Sequence, residues 1–163
     1  MADTSAPADW VLELMRDFQD TLTCGLYEAI YKLDDATVEP LMRSQAHACV
    51  AGFLKFADLR VPMSVDEFLV AIRTAAPSQI DITRDGDVID WRERHSGACV
   101  CPFVKREVIR LDPKLCMCGA HWVQRLFEVV AQTRVDIEIG DTVATGAEDC
   151  HFRIRLRGPV SAG

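Results

Sequence analysis

Cys99-Val100-Cys101 and Cys116-Met117-Cys118 are two C-x-C pairs with fourteen residues between them, in a chain of 163 residues that holds seven cysteines. In extended backbone, residues two apart point to the same side, so each pair can aim two sulfurs at a common centre. Four thiolates gathered in this way suit tetrahedral zinc. An iron–sulfur cluster also takes four cysteines, but at longer usual spacings, and ranks below zinc. Cys150 is a further candidate ligand, and His121, three residues after Cys118, is another nearby. His151 follows Cys150 and would face the opposite side of a strand, so only one of the two reaches the same site.

His95, four residues before Cys99, and His121 are the candidates to move protons beside a metal-held water. Lys105, Arg106 and a helix start after Cys118 would lower thiol pKa values. Two other readings of the four clustered cysteines stay open: reactive or redox thiols, and plain packing. Cys24 and Cys49 lie at helical spacing among Leu, Val and Ala and are expected in the core. His47 sits on a helix where it could be surface or interface. No Ser-His-Asp order, G-x-S-x-G elbow, P-loop or G-x-G-x-x-G is present, which removes the usual support for nucleotide hydrolysis and dinucleotide chemistry.

The elements that must position these residues can be read from periodicity. From Trp10 to Leu33, Leu14, Phe18, Leu22, Leu26 and Ile30 recur at four-residue spacing and predict one long amphipathic helix. Apolar residues on more than one of its faces point to a second subunit and hence a homodimer. A second helix is expected from about Val38 to Ala57, with Pro40 in its first turn. Ser64 and Glu67 have capping-box spacing and open a third. Asp85-Gly86 between β-prone runs predicts a hairpin. Residues His95 to Cys118 show no clear period, Gly119 to Gln132 return to helical spacing, and strands follow around 135–139 and 150–156.

This order predicts an α+β fold, with a helical region over 1–76 and a Cys-rich α+β region over 77–163, joined as one integrated domain. Three helices and a hairpin also describe a winged helix. Its would-be recognition helix, however, begins with Asp66 and Glu67, which repel phosphates.

Charge argues the same way. Residues 1–90 carry a balance of −9 and residues 91–163 one of +2, so the front half is a poor nucleic-acid surface. The start of the chain has no basic and apolar signal, and no apolar run reaches membrane-spanning length. A reducing cytoplasm is the expected compartment, where clustered cysteines favour metal or thiol chemistry over disulfides.

The segments CVCPF, LCMCGAHWVQRLFE and Gly146-Ala147-Glu148-Asp149-Cys150-His151-Phe152-Arg153-Ile154 together resemble the L-2-amino-thiazoline-4-carboxylic acid hydrolase-like family. More distantly they resemble the 4-vinyl reductase type of small-molecule-binding domain. The resemblance spans about residues 95–157. It implies an α+β ligand-binding domain, often dimeric, that either hydrolyses a small C–N/C–S heterocycle or binds an apolar small molecule beside a structural zinc. The two C-x-C pairs depart from the zinc pattern of those relatives, and no catalytic residue carries over.

The expectation is thus a zinc- and small-molecule-binding protein. Cys99, Cys101, Cys116, Cys118 and Cys150 would hold the metal, His95 and His121 would serve as acid or base, and Trp122 and Phe127 would line the ligand pocket. It is either a hydrolase or a non-enzymatic sensor, with a thiol-based redox protein as the further alternative.

Overall fold

The computed structural model describes residues 8–57, 59 and 61–160. Among these the order is α1 (Asp9–Ile30), α2 (Asp35–Leu54), α3 (Val65–Ala75), β1 (Ile80–Asp85), β2 (Val88–Arg94), α4 (Pro102–Lys105), α5 (Leu115–Val130), β3 (Thr133–Ile139) and β4 (Asp149–Pro159), with a 3₁₀ turn at Val143–Thr145. The fold is α+β, as the periodicity predicts. The strands form one antiparallel sheet in the order β1-β2-β4-β3.

Local chemistry explains most boundaries. Asp34 caps α2 by accepting from the Thr37 N–H at 3.0 Å and from its hydroxyl at 2.8 Å. The helix therefore starts three residues earlier than expected, and Pro40 falls inside it rather than in its first turn. Pro40 has no N–H to give to the carbonyl of Ala36, but that residue is exposed and water can serve it. The capping box of α3 forms as expected, with Ser64 Oγ accepting from the Glu67 N–H at 3.2 Å and Glu67 Oε2 accepting from the Ser64 N–H at 2.8 Å. Gly86 takes a φ of +58° in the β1–β2 turn, the left-handed conformation an Asp-Gly hairpin requires.

Helix α5 lies between α2 and the sheet. Its buried residues Val123, Leu126, Phe127 and Val130 meet Ile89, Trp91, Val135, Phe152 and Ile154 from the inner sheet face, with Phe68, Leu69 and Ile72 of α3 closing the end. Register places Ile89 opposite Ile154 and Trp91 opposite Phe152, so the centre of this sheet face is apolar, with Arg84 and Glu93 at its margins. Phe68, Trp91 and Phe127 form an aromatic cluster with centroids 5.1 Å (Phe68–Phe127), 6.3 Å (Trp91–Phe127) and 6.4 Å (Phe68–Trp91) apart. Gly119 faces Phe152, whose ring would lie at ordinary contact distance, 3.4 Å, from a Cβ at that position.

A smaller cluster joins Tyr27, Ile30 and Tyr31 to Val38, Met42, Ile109 and Leu115. Only this last part of α1 is buried. The earlier turns stand largely clear of the other helices and strands, with Trp10, Leu14, Phe18, Leu22 and Leu26 between 57% and 67% exposed.

Candidate functional site

The second C-x-C pair is helical, and this overturns the expected metal centre. α5 begins at Leu115, so Cys116 and Cys118 sit in its first turn rather than in extended chain. At 3.6 residues per turn, positions two apart point about 200° away from each other, so the two sulfurs diverge. Cys116 donates its thiol to Thr142 Oγ1 at 3.1 Å, on the side of the 3₁₀ turn. Cys118 faces the other way and packs with the Tyr27 and Met42 cluster, together with Cys101. Cys101 itself is the N-cap of the short α4.

The sulfurs share a region without sharing a centre. Cys150 feels the fields of Cys116 and Cys99, whereas Cys118 feels those of Cys49, Cys101 and Cys99. Among the described residues no group of three or more His, Cys, Asp or Glu side chains is placed to hold a metal ion. The predicted set Cys99, Cys101, Cys116, Cys118 and Cys150 therefore does not form a zinc site.

Thiol chemistry is disfavoured by the same surroundings. Burial is the first cause that raises the Cys99, Cys116, Cys118 and Cys150 pKa values, carrying Cys118 up to about 12 and Cys150 up to about 11. The expected lowering by Lys105, Arg106 and the helix start is outweighed, and these four thiols stay protonated at neutral pH. Cys24 and Cys49, expected in the core, are both exposed.

The two candidate proton carriers are apart and already engaged. His95 follows β2, and its Nε2 lies 3.1 Å from Glu93 Oε2, whose other oxygen accepts from Trp91 Nε1 at 3.0 Å. The His95 backbone N–H is fixed by Asp149 at 3.0 Å. His121 is on α5, 3.1 Å from Gln124 Oε1 and 3.3 Å from Glu39 on α2.

Of the proposed pocket residues, Phe127 is fully buried in the core and Trp122 packs edge-on against Phe53 at 5.4 Å. Neither lines either of two surface concavities. One concavity lies on the open sheet face among Asp81, Thr83, Asp90, Arg92, Asp149 and His151. The other runs between α1 and α4, past Leu12, Met15, Gln19, Phe103 and Arg106. Among the described residues, no buried side-chain nitrogen or oxygen lacks a hydrogen-bond partner.

The main group of exposed large apolar side chains among the described residues is on α1, apart from scattered ones such as Phe56 and Val70. Seven large side chains in one helix, Trp10, Leu12, Leu14, Met15, Phe18, Leu22 and Leu26, face solvent. Sequence periodicity located the helix, and the excess of apolar faces was the signal for this surface. The helix is anchored on its other side, where Asp20 pairs with Arg106, and Arg110 donates to Glu28 at 3.0 Å and stacks over Tyr31 at 4.5 Å.

No family model and no curated protein matches the chain. Among solved structures it is similar to a trafficking protein particle complex subunit 3 from Naegleria fowleri, solved covalently bound to palmitic acid. The TM-score is 0.52 and the identity 13%, over 94% of this chain and 92% of that one. The likeness is one of fold. With the divergent thiols, it overturns the expected zinc-dependent hydrolase or zinc-bearing sensor, because neither the donor geometry nor a related protein supports that reading. No helix of the described residues is long and apolar enough to cross a membrane.

Proposed function

We propose that this chain is a subunit of a protein assembly, and that its α1 is covered by a helix of its partner. One observation carries the reading: α1 exposes Trp10, Leu14, Phe18, Leu22 and Leu26 in a row while α3, α5 and the sheet close a core without them. Scattered apolar side chains on a surface are ordinary, but a contiguous row along one helix is the mark of an interaction site. The similar fold, solved as a subunit of a trafficking complex, supports an assembly role. The absence of a convergent donor set and the engaged state of His95 and His121 direct attention away from catalysis and toward this surface.

The test is the native mass of the protein. Light scattering on the protein purified without denaturant is expected to give well above the single-chain 18.2 kDa. A Leu14→Glu/Leu22→Glu double variant is expected to return it to the single-chain mass with unchanged circular dichroism. A wild-type chain that stays at the single-chain mass, alone and in native extracts, would overturn the reading.

A further inference from the structure

We draw no further inference here: the strongest candidate, the exposed apolar side of α1 running from Trp10 to Leu26, carries no proposal beyond an assembly partner because nothing in the structure shows what covers it.

Discussion

Cys116 and Thr142 are joined by a thiol-to-hydroxyl hydrogen bond of 3.1 Å. Thr142 is also the one buried polar residue among those described. Its carbonyl accepts from the Thr145 hydroxyl at 2.9 Å and its N–H donates to that hydroxyl at 3.1 Å. The 3₁₀ turn before β4 is thereby tied to the first turn of α5 through a sulfur that, in extended chain, would have pointed toward the other thiols. Replacing Thr142 by Val keeps the volume and removes the acceptor. A loss of about 1 kcal/mol in urea unfolding is expected, since a partly buried thiol is left without its partner.

Phe127 and Trp122, once candidates for one pocket, should separate in a stability experiment. Phe127→Ala empties the centre of the Phe68 and Trp91 cluster and is expected to cost about 3–5 kcal/mol. Trp122 is only partly buried, so Trp122→Ala should cost about half as much, and a thermal melt of the two variants would show the difference. Equal costs would place Trp122 deeper in the core than its packing on Phe53 indicates.

Alkylation with iodoacetamide at pH 7.5 should follow exposure and thiolate content. Cys24 and Cys49 are exposed and should react first, whereas Cys118, pushed up to about 12, should react last. Mass spectrometry of timed samples would order the sites, and early labelling of Cys118 would contradict its burial.

The same buried thiol gives stability a pH dependence. Burial, then the fields of Cys49, Cys101 and Cys99, raise Cys118 from the ordinary 9.0 to about 12. The unfolded chain therefore releases this proton first as pH rises. The contribution is fully present below pH 9, falls through the window between 9 and 12, and has a slope of at most about 1.4 kcal/mol per pH unit. Cys118→Ala should flatten the alkaline limb of a denaturation profile relative to wild type.

Removing the cap of α3 tests a purely local element. Ser64→Ala abolishes the acceptor for the Glu67 N–H and is expected to cost about 1 kcal/mol. Ser64→Asp should retain most of the stability, as read from the midpoint of urea unfolding.

Elements with a strong local signature were legible before the structure was known. The four-residue recurrence in α1, the Ser64–Glu67 box, the Asp85-Gly86 turn and the alternation of β3 each fix backbone through neighbours in sequence. The site was misread because C-x-C carries no conformation of its own: it converges in a strand and diverges in a helix. A deciding signal was present in Asp112-Pro113. Asp112 Oδ1 accepts from the Lys114 N–H at 3.0 Å, and its carbonyl accepts from the Leu115 N–H at 2.9 Å, so a turn at Asp112-Pro113 leads into the helix ahead of Cys116. The exposure of Cys24 and Cys49 was not legible, because it depends on which side of α1 and α2 the rest of the chain covers.

The early turns of α1 have a kinetic consequence. Short helices without tertiary support are marginal in water, so the segment from Val11 to Leu22 should open and close far more often than the Tyr27 end, which is held by Val38, Met42 and Leu115. Amide hydrogen exchange along α1 should therefore form a gradient in a free chain and become uniform once the helix is covered. The exchange rate of these amides would then report, in solution and without a label, the fraction of chains whose surface is occupied.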